Sequence, residues 1–425
     1  MKTLFRNANV FTKNGFEVKN ITIDGNSIRV LESSLDTSSF DVIDCSNKYI
    51  IPGFVDVHVH LREPGFFYKE TIKTGTMAAA RGGYTTVCSM PNLNPVPSTL
   101  EKLQVQLDII EKDACIEVLP YGTITSNQSG RGELANMEEM ASKVFAFSDD
   151  GRGVQTGELM YEAMLKAKSL DKAIVAHCEE DSLLFKGYIH DGEYAKLHGH
   201  RGICSASEWI PIARDVELVK RSGCKYHVCH VSAKESLEVI RNAKKQGVNI
   251  SCETGPHYLI LTDMDLKEDG WYKMNPPLRS SEDKDALIRA IQDGTIDMIA
   301  TDHAPHSAEE KARGLEKSAF GIVGLETSFK LLNTYLVKKG IISLTKLVEL
   351  MAINPRKRFG LEEVYIEDGY PANFTILDLD KVSTIDSKTF LSMGKAMPFE
   401  GYKVYGEVLQ TYYQGKKVWD FLNKD

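Results

Sequence analysis

Between Ile51 and Leu361 the sequence switches repeatedly between two hydrophobic periods, and this switching narrows the folds open to the chain. Short apolar, β-branched runs occur at Ile51–Val59, Thr85–Met90, Cys115–Tyr121, Val144–Ser148, Ala173–Ala176, Lys225–His230, Asn249–Glu253 and Met298–Thr301. Helical spacing fills most of the gaps, at Lys69–Arg81, Leu100–Lys112, Gly157–Ser169, Ser205–Ser222, Ser232–Gln246 and Asp283–Gln292. Two more helical patterns, Gly324–Lys338 and Leu344–Ala352, follow the last run, and Pro355 is expected to limit the second. Thr156 offers a cap, and Ser232-Ala-Lys-Glu235 has the form of a capping box. Eight strand–helix units in about 310 residues predict an α/β fold, a (β/α)8 TIM-like barrel. An open doubly wound sheet is the competitor, disfavoured because no glycine fingerprint follows the first strand.

The flanks have another texture. Thr3–Phe11, Phe16–Ile23, Ser27–Leu31 and Asp41–Ile50 are short and β-rich, broken by Asn14-Gly15, Asp24-Gly25-Asn26 and serine-rich turns. Ala372–Leu379, Tyr402–Tyr413 and Lys416–Trp419 repeat the pattern. The expected organisation is a barrel over 51–365 and a small β-sandwich domain formed by both chain termini, 1–50 and 366–425.

Composition removes other classes. Hydrophobic residues are 42% and charged residues 26% of 425, enough apolar material for a large core without staples. Lysine and arginine number 51 against 59 acidic residues, a net −8 that argues against a nucleic-acid surface. Eight cysteines with no CxxC pair make neither a disulfide framework nor a zinc ribbon, which fits a reducing, cytoplasmic setting. No leader-like N-terminal run and no apolar stretch of about 18 residues occurs, so no membrane role is expected.

A barrel places its chemistry at the C-terminal ends of its strands. Those ends carry His58-Val-His60-Leu-Arg62, Met90-Pro-Asn92, Ser148-Asp149-Asp150-Gly151, His177, His230 and Thr301-Asp302-His303-Ala-Pro-His306. Residues two apart on a strand face the same way, so His58 and His60 can share one metal, with Asp56 on the same side. Four imidazoles and two carboxylates exceed the needs of one catalytic zinc, which takes three protein ligands. They suit two metals about 3.5–4 Å apart joined by a carboxylate. Asp150 is the candidate bridge and Asp149 the alternative, since alternation sends only one inward. Asp302, at the last strand end, suits a general base that later serves as general acid.

Arg62, Asn92, Asn275 and His306 are further polar candidates near this face, and an arginine fork suits a substrate carboxylate. Blander readings fit other residues. His257 is as readily structural as pocket-lining. His190, His198 and His200 read as loop or surface residues. His227, three positions from His230, should point toward the helices, and His303 should hydrogen-bond a ligand. Gly82 and Gly83 read as a helix cap and turn, and Ser307–Gly324 is long enough to close over a substrate.

Pro52-Gly-Phe-Val-Asp-Val-His58-Val-His60-Leu-Arg62-Glu-Pro-Gly65 and Thr301-Asp-His-Ala-Pro-His306 resemble the two signatures of the cyclic amidohydrolases. Met90-Pro-Asn92, Ser148-Asp-Asp-Gly151, Met274-Asn-Pro-Pro-Leu-Arg279 and Phe320-Gly-Ile-Val-Gly-Leu-Glu326 extend the likeness, which is nearest to class I dihydroorotases. The resemblance implies two zinc ions per subunit. It gives His58, His60 and Asp302 to one, His177 and His230 to the other, and Asp150 as the bridge. It makes Asp302 catalytic, and Arg62, Asn92, Asn275, His306, Phe320 and Gly321 substrate contacts. The implied reaction is reversible closure of N-carbamoyl-L-aspartate to L-dihydroorotate plus water, in pyrimidine synthesis. A homodimer and an aspartate transcarbamoylase partner are further family expectations. Hydantoinases, dihydropyrimidinases and allantoinases are the alternative relatives. The first two usually bridge their metals with a carboxylated lysine, and Phe147-Ser-Asp-Asp-Gly-Arg152 contains none.

Overall fold

The structure, a computed structural model, describes residues 2–32 and 38–422, so part of the serine-rich turn expected after Leu31 lies outside the described residues. Parallel strands form at Phe54–Val59, Tyr84–Ser89, Glu117–Pro120, Ala173–Ala176, Lys225–Val228, Ile250–Thr254 and Met298–Ile299. The run expected as a strand at Val144–Ser148 contributes only Phe147, which bridges Gly122 on one side and Ile174 on the other. Neighbours pair in chain order. Val59 bridges His303, and His60 N donates to His303 O at 2.8 Å, so the last unit meets the first and the ring closes. Asp56 reinforces the seam by accepting from Thr301 Oγ1 at 2.6 Å and Thr301 N at 3.1 Å.

Val55, Val57, Cys88, Met90, Tyr121, Ala146, Val175, Cys229, Met298 and Ala300 pack into one buried cluster along the strands. Helices Ile72–Arg81, Leu100–Asp113, Gly157–Ser169, Ala206–Ser222, Lys234–Lys245 and Ser281–Gln292 surround the ring. Thr156 caps its helix, accepting from Leu159 N at 3.3 Å, an interaction worth about 1 kcal/mol. Gly82 ends the helix before the second strand, where a Cβ would meet Leu325 O at 2.2 Å, and Gly83 makes the turn at φ +90°.

Two boundary expectations are corrected. Ser232 forms no capping box; its hydroxyl bonds Glu208, whose carboxylate also accepts from Ser232 N at 3.1 Å and Ala233 N at 3.0 Å. The helix starts at Lys234, and its first free amide is met from another helix, Lys234 N donating to Asp283 at 2.9 Å. Nor does Pro355 stop its helix. Leu344–Val348 continues through a wider π-helical turn at Glu349–Ile353 into Asn354–Phe359. Pro355 sits at the start of that segment, where a missing N–H costs little.

The terminal strands form one mixed sheet in the order 416–420, 403–413, 374–384, 49–52, 2–12, 15–24, 27–31, with 40–44 also pairing with 2–12. Phe5 and Tyr412 lie three strands apart in this order, about 14 Å on a flat sheet. Their ring centroids are 5.5 Å apart, so the sheet doubles over. It encloses Phe5, Ile21, Ile28, Phe374 and Tyr412 in its own core. Phe11, Ile51, Leu377, Val404 and Val408 instead join the main core with Phe54, Ala80 and Phe329 of the barrel layer.

Candidate metal centre and active site

The strand ends deliver their polar residues to one place. Two groups have ligand atoms within 4.8 Å of one another: His58, His60 and Asp302, and Asp150, His177 and His230. Asp150 joins them, with its carboxylate 3.3 Å from His58 Nε2, 3.5 Å from His60 Nε2, 3.5 Å from His177 Nδ1 and 3.8 Å from His230 Nε2. Asp302 Oδ1 lies 3.1 Å from His60 Nε2 and 3.5 Å from His58 Nε2. All six side chains are buried. His58, Asp150 and Cys229 also satisfy the distance, but burial pushes the Cys229 thiol up, which keeps it protonated near neutrality.

Geometry separates the adjacent aspartates. Asp149 turns away and accepts from Ile124 N at 2.8 Å, Thr125 N at 3.0 Å and Gly130 N at 3.1 Å, so it organises the loop beside the mouth. Asp150 alone faces the histidines. Burial opposes ionisation of Asp150 and Asp302, yet the neighbouring imidazoles outweigh it and hold both below the usual carboxylate range. Burial likewise opposes a charged His177, but Asp150 and Glu179 raise it to about 10. His58 Nε2 and Asp150 Oδ1 are buried, face each other, and have no hydrogen-bond partner among the described residues. Buried polar atoms are rarely left so, and a cation between imidazole lone pairs and carboxylates satisfies both. The donor set therefore fits metal ions.

Some expected placements change. Asp56 does not join the ligands: the strand register shifts between Asp56 and Val59, and its carboxylate turns to Thr301. His227 faces into the barrel, 2.7 Å from Ser251 Oγ and 3.1 Å from Glu253 Oε2. Parity misleads there because His230 lies beyond the strand at φ +33°. Glu253, which the sequence reading left without a role, contacts His58 Nδ1 at 2.8 Å. His303 bonds no ligand side chain; its Nδ1 accepts from Gly324 N at 3.2 Å and its Nε2 is 3.6 Å from Glu70. His190 is buried against Arg279, not at the surface. His257 is buried, and burial lowers it to about 4.

A cavity of about 200 Å³ opens over the six residues and is also lined by Arg62, Asn92, Asn275, His306, Phe320 and Gly321. Every substrate-contact candidate is thus at the mouth. Arg62 donates from Nε to Pro305 O at 3.1 Å. Burial brings it down to about 10, which leaves it a cation at neutral pH. Asn92 Nδ2 donates to Asp150 O at 2.8 Å and Asn275 Nδ2 to Glu179 at 2.6 Å. Lys69 donates to His306 Nδ1 at 3.2 Å, and His306 Nε2 lies between Phe320 O at 2.8 Å and the Arg62 guanidinium at 3.3 Å.

The loop expected as a mobile cover has an internal anchor. Lys311 is buried and donates to Gly321 O at 2.7 Å, Ala319 O at 2.9 Å and Lys273 O at 3.0 Å. The ammonium thereby fixes the backbone on both sides of Phe320.

A closed (β/α)8 barrel with histidines and aspartates around a mouth cavity is the architecture of the amidohydrolases, hydrolases that act on amide bonds. The family described as Dihydro-orotase-like matches residues 47–236. The chain is 51% identical over 414 residues to a dihydroorotase from Fusobacterium nucleatum subsp. nucleatum, covering 97% of each. It is 48% identical over 422 residues to a dihydroorotase from Bacillus licheniformis, covering 99% of this chain and 98% of that one. Among solved structures, an L-hydantoinase (dihydropyrimidinase) from Arthrobacter aurescens is similar at a TM-score of 0.87 and 26% identity, over 98% of this chain and 96% of that one. The chain belongs to the dihydroorotase family of the amidohydrolase superfamily. Among the described residues no helix is long and apolar enough to cross a membrane.

Proposed function

We propose that the protein is a dihydroorotase that interconverts N-carbamoyl-L-aspartate and L-dihydroorotate plus water, the third step of de novo pyrimidine synthesis. One observation carries the reading beyond a generic cyclic amidase: the buried Arg62 guanidinium lines the same cavity as both ligand groups. A ring bearing a carboxylate supplies the counter-charge that such a cation needs. The His-rich donor set favours zinc, and the two groups joined by Asp150 support two ions per subunit. His58, His60 and Asp302 would hold one, His177 and His230 the other, with Asp150 shared.

When bound, the metal pair would polarise the ring carbonyl and make water nucleophilic at neutral pH. Arg62 fixes the ring carboxylate, contributing position and charge-assisted hydrogen bonds. Asn92, Asn275, His306 and the Phe320–Gly321 backbone surround the rest of the ring. In the hydrolytic direction a carbon–oxygen bond forms to water and the ring carbon–nitrogen bond breaks. Asp302 takes the proton from water and delivers it to the departing nitrogen. Ring closure runs the same transfers in reverse.

Likeness to a hydantoinase supports a neutral cyclic amide as the second reading. Purified protein assayed on dihydroorotate, hydantoin and allantoin separates the two. Dihydroorotate is expected to be the preferred substrate; turnover of only the neutral rings would overturn the proposal. Homodimerisation, a cytoplasmic location and a transcarbamoylase partner rest on the family resemblance, and sedimentation with and without that partner tests the assemblies.

A further inference from the structure

The four histidines of the centre are not equally supported from behind. His58 Nδ1 lies 2.8 Å from Glu253 Oε1. His60 Nδ1 and His177 Nε2 have no hydrogen-bond partner among the described residues, and the nearest carboxylate to His177 Nε2, Glu179, is 3.7 Å away. Glu253 is 1% exposed and is itself held at its second oxygen by His227 Nε2 at 3.1 Å. Ser251 Oγ completes the row, 2.7 Å from His227 Nδ1.

Donor and acceptor counting fixes the protons. An ionised carboxylate only accepts, so His227 presents Nε2–H and its Nδ1 accepts from the Ser251 hydroxyl. The same reasoning puts a proton on His58 Nδ1 and leaves Nε2 as a lone pair, aimed at Asp150 and Asp302. With a cation between Nε2 and those carboxylates, the opposite His58 tautomer would aim an N–H at the cation and set the Nδ1 lone pair against Glu253.

We infer that Glu253, braced by His227, is a positioning residue that locks His58 Nε2 toward the metal centre and strengthens cation binding in one half of that centre. The inference rests on the metal centre proposed above. A carboxylate behind a ligating imidazole raises the basicity of the ligand nitrogen and fixes its ring plane. Of the His58, His60 and His177 rings, only His58 has a carboxylate at hydrogen-bond distance on its far nitrogen, so the charge acts first on the His58–His60–Asp302 group; Glu253 touches the other group only through the backbone, accepting from His230 N at 3.3 Å. The two ions therefore differ in affinity for a reason that lies outside the ligands themselves.

The test is a chelator-competition titration of metal-free protein with Zn²⁺, repeated with Co²⁺ to read the visible spectrum. Wild type is compared with Glu253→Gln, which keeps the shape and removes the charge, and with His227→Asn, which keeps the charge and releases its brace. One metal equivalent is expected to weaken about 10–100-fold in Glu253→Gln, with an altered cobalt spectrum, while the other stays within about threefold. His227→Asn is expected to weaken the same equivalent by about three- to tenfold. A purely structural role would lower the stability of the metal-free protein yet leave both affinities at wild-type values, and that result overturns the inference. If Glu253→Gln does not fold, the His227→Asn comparison decides alone. Wild type that binds no metal would defeat the proposed centre as well; wild type with two equivalents that the variants do not disturb would defeat only the role of Glu253.

Discussion

Arg62, His230 and Asp302 occupy left-handed backbone at φ +62°, +33° and +48°. Such conformations cost a non-glycine residue about 1–3 kcal/mol each, and here they sit at ends of three different strands around one cavity. The distortion redirects each side chain at the point where strand alternation would have sent it elsewhere. Asp302→Asn keeps that geometry and loses the proton acceptor, so kcat on dihydroorotate should fall by about 10²–10⁴-fold, measured beside metal content, which should persist. Arg62→Met should lower kcat/KM for dihydroorotate by about 10–100-fold and leave any turnover of hydantoin unchanged, a contrast that paired assays read directly. This scale also shows what the sequence disclosed. His58, His60, His177, His230 and Asp302 were legible because ligand-type residues at successive strand ends have few other uses. Asp149 and Asp150 were not separable, because the deciding partners, Ile124, Thr125 and Gly130, come from another loop. His227 was misdirected because counting by twos fails once the chain leaves the strand at His230. Glu253 was visible as an acidic residue ending an apolar run, but its partner is about 195 positions away and only barrel closure joins them.

At the scale of elements, the segment from Ser307 to Gly324 illustrates how length and charge can mislead. It looks like a free cover in sequence, yet Lys311 ties Ala319, Gly321 and Lys273 together. Lys311→Met should strand those carbonyls, cost about 1–3 kcal/mol, raise KM several-fold and quicken proteolysis within the loop. Burial lowers the Lys311 amine to about 7. Between about pH 7 and the unfolded value near 10.4, the unfolded chain holds a proton that the folded one has released. Stability contributed by this residue should therefore rise with pH across that window. Denaturant titrations of wild type and Lys311→Met at several pH values check the sign; a difference that shrinks with rising pH would refute it. Helix positions were mostly readable from apolar spacing and hydroxyl caps. The Ser232 box and the Pro355 stop failed for one shared reason: tertiary partners or a wider turn met needs that local rules assign to neighbours in sequence.

For the whole molecule, the flanking β segments were recognised from composition and turn chemistry, and both do enter one sheet. Their texture could not show that the sheet shares a core with the barrel through Phe11, Ile51, Leu377, Val404 and Val408. Thr411 Oγ1 also donates to Ala80 O at 2.7 Å, and Arg81 stacks on Trp419 at 5.5 Å. Barrel and sheet should accordingly melt in one calorimetric transition in the metal-free protein; two resolved peaks would show that the layers are independent. The sheet has a further consequence during synthesis. Strand 49–52 pairs on one side with 2–12 and on the other with 374–384. At about 5–20 residues per second, the ribosome takes on the order of half a minute to deliver that second neighbour. Until then the nascent chain carries an unmated edge, so crowded polysomes, not the finished protein, are where this architecture is most exposed to sticking to its own copies.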